Sequence, residues 1–182
     1  MYETVSSRSV FNGRVFGVRV DEVRYDDDSV HRVDVVEHTG SFGIIALTSA
    51  DEIVLVRQYR HPVRRMLWEI PAGTAETSEA PIRGALRELA EETGFRAARI
   101  RPLGSFFMTP GFCNEIMYFF AAEELTPGIQ ALDEDERIDV ACFTLDRAWQ
   151  LVREGKIADV KTLLALQWTG GTRGELTPRN GR

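Results

Sequence analysis

"GALRELAEETGF", residues Gly84–Phe95, places three glutamates, Glu88, Glu91 and Glu92, within five positions and includes no lysine. Like charges at helical spacing repel, each pair costing roughly a few tenths of a kcal/mol. Pro81 is tolerated in a first helical turn and Gly94 suits a helix stop, so the pattern predicts a helix over Pro81–Thr93. On a wheel of ~100° per residue with Glu88 at the origin, Glu92 falls about 40° to one side and Glu91 about 60° to the other. Ile82, Leu86 and Leu89 lie roughly 100–160° away, a neighbouring aliphatic face able to anchor the helix to a sheet. The carboxylates are then presented from a fixed base. Convergent carboxylates are what a hard divalent cation such as Mg²⁺ or Mn²⁺ requires, and such an ion turns repulsion into coordination.

The rest of the chain permits that reading. Its 182 residues suffice for one domain with a core of its own. With 43% hydrophobic and 27% charged residues, the composition is that of a soluble globular protein. A net charge of −6 gives no general attraction to nucleic acid or anionic membrane and suits a protein that holds cations. "MYETVSSRSV" has no apolar signal core, and no stretch approaches the ~20 apolar residues of a membrane span. Cys113 and Cys142 are too few for a disulfide scaffold or a zinc cluster, so free thiols in a cytoplasmic protein are expected.

Alternating apolar and polar residues in "RVFGVRVDEVRY" and "HRVDVVEHTG" predict two strands around the turn "DDDS". "FGIIALTSADEIVLVRQYR" reads as a second hairpin with more deeply buried strands. "MLWEIPAG" reads as a short strand broken at Pro71 and Gly73. Beyond the acidic helix, "RIRPLGSFFM" and "EIMYFFAAEEL" flank the loop "TPGFCN". "ALDEDERIDVACFT" leads to helical segments at Asp146–Glu154 and Asp159–Trp168. "TGGTRGELTPRNGR" has no periodicity and is expected to be a disordered tail. Strands with one inserted helix and more helix at the end argue an α+β fold.

Around the helix, Gly73, Glu79, Arg87-Glu88-Leu89, Glu91-Glu92 and Gly94-Phe95 fill every fixed position of G-x5-E-x7-R-E-U-x-E-E-x-G-U, where U is aliphatic or aromatic. That spacing resembles the signature of the Nudix hydrolases. The resemblance implies an α/β/α sandwich with a mixed sheet and metal-dependent hydrolysis of a nucleoside diphosphate linked to another moiety. It implies Glu88 and Glu92 as main metal ligands, Glu91 assisting, and the carbonyl of Ala72 completing a site for two or three ions. Arg87 resembles the arginine that pairs with an acid and steadies the helix, with Glu79 the expected partner. Gly73 and Gly94 are expected at tight turns that need glycine's φ freedom. No competing catalytic kit is present: His31, His38 and His61 form no H-x3-H pair, and G-x-S-x-G, a Walker loop and C-x2-C are missing from the sequence.

"LVRQYRHPVRRMLWEIPAG", "TPGFCNE" and "REGKI...ALQW" resemble the ADP-ribose pyrophosphatases and related nucleoside-diphosphate-sugar hydrolases, from about Gly13 to Trp168. In that branch Arg60 corresponds to a phosphate contact and Glu115 to a ribose contact. Carboxylates bound to a cation make poor bases. The resemblance therefore places the general base in "ALDEDERIDV", at Glu134, with an auxiliary metal contact at Glu136 and Glu91 next in line. It also implies a homodimer, with residues 1–40 as dimerisation and pocket element, 41–168 as catalytic domain and 169–182 as tail. A small-molecule nucleotide is the implied partner. Two alternatives stay open: a Nudix hydrolase of another substrate, such as a dinucleotide cofactor or GDP-mannose, and a non-hydrolytic nucleotide-binding module that regulates a partner.

Overall fold

A computed structural model describes residues 1–76, 79–134 and 136–171. In chain order its strands are β1 (Glu3–Asn12), β2 (Phe16–Arg24), β3 (Val30–His38), β4 (Ser41–Ala46), β5 (Ile53–Arg60), β6 (Arg65–Glu69), β7 (Ala72–Thr74), β8 (Arg96–Phe107), β9 (Ile116–Thr126) and β10 (Asp139–Phe143). The helices are α1 (Pro81–Thr93, after β7), α2 (Leu145–Arg153) and α3 (Val160–Gly171).

The centre is β4, buried at every position. It pairs parallel with β9 and antiparallel with β7, and β8 closes the sheet in the order β7-β4-β9-β8. A strand buried on both faces needs apolar residues pointing both ways. Phe42, Ile44 and Ala46 point to α1, joining Ala85, Leu89, Phe120 and Ala122. Ile45 points the other way, into a core with Phe119, Ala121, Leu151 of α2 and Leu166 of α3. The result is a mixed sheet between helices, the sandwich that the sequence implied. A second, antiparallel sheet runs β10-β5-β6.

β1, β2 and β3 form a separate antiparallel sheet. It is tied to the rest where Val36 N–H donates to the Phe112 carbonyl at 2.7 Å and His38 N–H to Asn114 Oδ1 at 2.8 Å. No helix among the described residues is long and apolar enough to cross a membrane. Both cysteines are free thiols.

Several local expectations change. β1 was not legible, because every residue of ETVSSRSVFN is exposed and no alternation marks an inner face. β4 and β5 do not form a hairpin; they lie in different sheets, joined by a single bridge, Leu47 to Ile53. Gly73 does not end a strand but sits within β7, opposite Phe42. The buried side of α1 is Gly84, Ala85, Leu89, Glu92 and Thr93, while Ile82 is 43% exposed. The anchor is thus narrower and set by small residues. α3 continues through Gly171, into the stretch expected to be tail, and the remainder of that stretch lies outside the described residues.

Gly84 explains how α1 comes so close to the sheet. A Cβ there would sit 2.1 Å from the Phe42 ring. Gly84→Ala gains helix propensity of about 1 kcal/mol yet overpacks the interface by typically 1–3 kcal/mol, with the adjoining turn of α1 and Phe42 both fixed by the core. Chemical denaturation should show a net loss of stability; a midpoint at or above that of the parent would mean that Phe42 yields freely.

Candidate active site

α1 starts at Pro81 without a side-chain cap and stops at Gly94, whose φ of 74° lets its N–H return to the Ala90 carbonyl. Between these ends one turn carries Arg87, Glu88, Glu91 and Glu92 to a cleft of about 610 Å³. The opposite rim of that turn is strand β7. Gly73 is required there for space and not for φ: a Cβ would lie 1.8 Å from the carboxyl carbon of Glu88. Its φ is not positive, unlike that of Gly94. The Glu88 carboxylate therefore rests against bare backbone.

Arg87 is the hub of the acidic turn. Its Nε and Nη2 donate to the two oxygens of Glu79 at 3.1 and 3.0 Å. Its Nη1 donates to Glu91 at 2.8 Å and lies 3.0 Å from Glu88. One guanidinium thus joins the loop acid to two of the three clustered glutamates, the fork geometry that lysine lacks. Glu92 falls outside this arrangement. It is 3% exposed, and its carboxyl accepts the Ala72 N–H at 2.9 Å.

Burial pushes Glu92 up to about 8, with Glu88 and Glu136 adding to the rise and the Ala72 N–H opposing it. Burial likewise raises Glu88 to about 7, opposed by Arg87 and helped by Glu91 and Glu136. Among the described residues no three acidic side chains already converge at ligand spacing. The donor chemistry nevertheless fits a hard divalent cation. The cleft lining offers carboxylates and backbone, with no thiol or imidazole among the described residues. Two of the carboxyls are held near neutrality by lack of solvation that a cation would supply.

Arg60, at the end of β5, lines the same cleft, as does Gln58 two residues earlier on the same strand face. Arg60 is held by a bidentate pair with Glu69, at 2.9 and 2.7 Å. Ala72 and Glu136 also line the cleft. Glu134 and Glu115 are not among its lining residues. Glu134 is exposed, its carbonyl accepting from Arg137 at 3.0 Å. Glu115 accepts from the Ser41 hydroxyl at 2.7 Å near the start of β9. Arg14 and Val15, from the β1–β2 turn, reach the cleft of their own chain.

Sequence reasoning missed Gln58, Glu69 and Lys161. Period-two alternation could have found Gln58, since it shares a strand face with Arg60. Glu69 is buried at 1% exposure, and a lone glutamate within an apolar strand was the available signal. The partner that binds it on the other side, Lys161, comes from α3 and had no local mark.

The NUDIX domain family matches residues 37–166. The chain is 40% identical over 168 residues to the methanol dehydrogenase activator of Bacillus methanolicus, covering 91% of each. It is 37% identical to the ADP-ribose pyrophosphatase of Bacillus subtilis, again over 91% of each chain. It is 32% identical to the GDP-mannose pyrophosphatase of Yersinia pestis, over 84% of this chain and 80% of that one. Among solved structures, an ADP compounds hydrolase superposes with a TM-score of 0.80 at 20% identity, covering 93% of this chain and 95% of that one, which shows a shared fold. With the family matched across most of its length and the acidic helix, its arginine hub and the glycine-backed glutamate all in one cleft, the chain belongs to the NUDIX domain family.

Proposed function

We propose that this protein is a divalent-metal-dependent pyrophosphohydrolase that cleaves ADP-ribose or related nucleoside diphosphate sugars to a nucleoside monophosphate and a sugar phosphate. One observation carries the reading: buried Glu92 and the largely covered Glu88, whose side chain is 13% exposed, line a cleft that Arg60 also lines. The acids suit cations, and the guanidinium suits a diphosphate. The relatives named as ADP-ribose and GDP-mannose pyrophosphatases support the substrate class.

Glu88 and Glu92 would hold the cations, with Glu91, Glu136 and backbone at Ala72 nearby. Bound there, Mg²⁺ or Mn²⁺ supplies Lewis-acid polarisation of phosphoryl oxygens and a lowered pKa for water. Arg87 would steady the acidic turn by its bonds to Glu79 and Glu91, limiting how far the carboxylates must move to close on a cation. Arg60 orients the diphosphate. Water adds to one phosphorus, the bridging P–O bond breaks, and a carboxylate takes the water's proton. On this geometry Asp133 and Glu136 are the described acids of the "DEDER" loop that line the cleft, Glu136 the less exposed of the two, while Glu134 would act only with the loop in another position.

The regulatory alternative keeps one supporting observation, the relative named as a methanol dehydrogenase activator. Hydrolysis by the purified protein alone separates the two readings. Dimerisation through residues 1–40 is part of the proposal. The N-terminal sheet leaves Tyr2, Val5, Val10, Phe11 and Phe16 exposed, apolar area that a second chain would cover. Light scattering should give twice the 20.5 kDa chain mass; an active monomer at micromolar concentration would remove the dimer.

The acid pair also sets a pH dependence. Both folded-state values, about 7 and about 8, lie above the ordinary 4.5, so the metal-free folded protein binds protons that the unfolded chain releases. Their contribution to stability is therefore greatest below about 4.5 and is lost as pH rises through the folded values. In EDTA, the melting temperature should fall between about pH 5 and pH 8, with a shallower slope in Glu88→Gln/Glu92→Gln. Added Mg²⁺ should raise it more at the upper end, because the ion binds the deprotonated carboxylates. Equal effects at both ends would contradict the cation reading.

Chromatography should show AMP and ribose 5-phosphate from ADP-ribose, with turnover abolished by EDTA. Glu92→Gln should lower kcat by about 10²-fold or more with the fold retained, and Glu136→Gln should be more impaired than Glu134→Gln. The reverse order for the last two would return the base to Glu134. Full turnover in EDTA would rule out metal dependence. A kcat/KM about tenfold or more higher for GDP-mannose or a dinucleotide would move the substrate assignment within the family.

A further inference from the structure

Arg60 does not stand alone on the cleft wall. Glu69, which holds it, is a shared acceptor: its Oε2 also receives the ammonium of Lys161, a residue of α3. Lys161 in turn lies 3.0 Å from Oδ1 of Asp159. That oxygen also caps α3 by accepting the Thr162 N–H at 3.1 Å. The second oxygen of Asp159 is buried without a hydrogen-bond partner among the described residues. Two carboxylates and two cations thus form a neutral chain running from the start of α3 to the cleft.

The same turn of α3 holds the backbone that follows Glu69. Thr162, fully buried, accepts the Ile70 N–H at 2.9 Å. Just before it, the Lys156 carbonyl accepts the Trp68 N–H at 2.9 Å. The free edge of β6 and the segment leading to Ala72 are therefore stapled by residues 156–162, and Ala72 is the residue whose N–H meets Glu92.

We propose that Lys161 is a positioning residue for the active site, setting through Glu69 the direction in which Arg60 presents its guanidinium to the diphosphate. The inference rests on the reading of Arg60 as a diphosphate contact. Its physical basis is a count of partners. Arg60 spends Nε and Nη2 on Glu69, while Nη1 has no hydrogen-bond partner among the described residues. Lys161 neutralises what remains of the Glu69 charge and answers Asp159. Without the ammonium, a single guanidinium would face both carboxylates. Glu92 from the cleft and Asp159 from α3 both stabilise the Arg60 charge at a distance; without the ammonium the pull toward Asp159 is unopposed by a cation of its own, and Arg60 would be drawn inward, away from substrate.

The test is a double-mutant cycle of Lys161→Met with Arg60→Gln, read by steady-state kinetics on ADP-ribose and by calorimetric titration with inorganic pyrophosphate in Mg²⁺ buffer. Lys161→Met should raise KM by about tenfold while kcat changes by less than about threefold, and should weaken pyrophosphate binding to a similar degree. In the Arg60→Gln background it should add less than about twofold, because the residue acts only through Arg60. Lys161→Arg, which keeps the charge, should recover most of the loss. Should Lys161→Met fail to fold, Lys161→Gln enters the same cycle. Effects that multiply in the double variant, or a Lys161 variant with wild-type KM and pyrophosphate affinity, would overturn the proposal. So would a wild-type protein without affinity for pyrophosphate. A wild type that binds pyrophosphate but hydrolyses no nucleoside diphosphate sugar would sink the functional reading alone, since the titration still reads the cycle.

Discussion

A single guanidinium holds the acidic turn together. Glutamates 88 and 91 would repel on any helix, and Arg87 reaches both while its other edge grips Glu79 on the loop before the helix. A side chain with one donor centre could not satisfy three carboxylates from two directions at once. Glu92 is left to burial, a backbone N–H and whatever cation the cleft takes up. Burying an acid so nearly unpaired is costly. The placement makes physical sense where a ligand supplies the missing charge.

The acidic helix was legible because its information is local. Pro81, Gly94 and the spacing of charged residues lie within one short segment, and the helix bounds follow from them. What the sequence did not disclose depends on distant neighbours. Gly73 looked like a turn residue until the Glu88 carboxylate was found against it. Ile82 looked like an anchor, yet Gly84 and Ala85 set the contact, because close approach to Phe42 matters more than side-chain size. β1 has no buried face to leave a periodic trace. Glu69 and Lys161 meet across half the chain, and neither carries a local sign of the other.

Relatives of similar identity carry different names, one an activator and another a pyrophosphatase. Overall similarity therefore does not decide the role; side chains in the cleft do. Their arrangement is that of a site built to work on charge: a buried acid beside two partly covered ones, an arginine fixed by an acid behind it, and a wall of bare backbone.

The parallel pairing of β4 with β9 has a consequence for how the protein comes into being. Ser41 and Met117 are register partners at the middle of the sheet, so the central seam closes only after a large loop has been brought together. Contacts of such long sequence separation slow folding. During synthesis the acidic helix can emerge and even coil before its sheet exists, but Glu69 cannot meet Lys161 until α3 has left the ribosome. From the emergence of α1 until α3 follows, the nascent chain therefore carries its cluster of acids without the finished scaffold that gives them a use. Activity would arrive as one of the final events of folding.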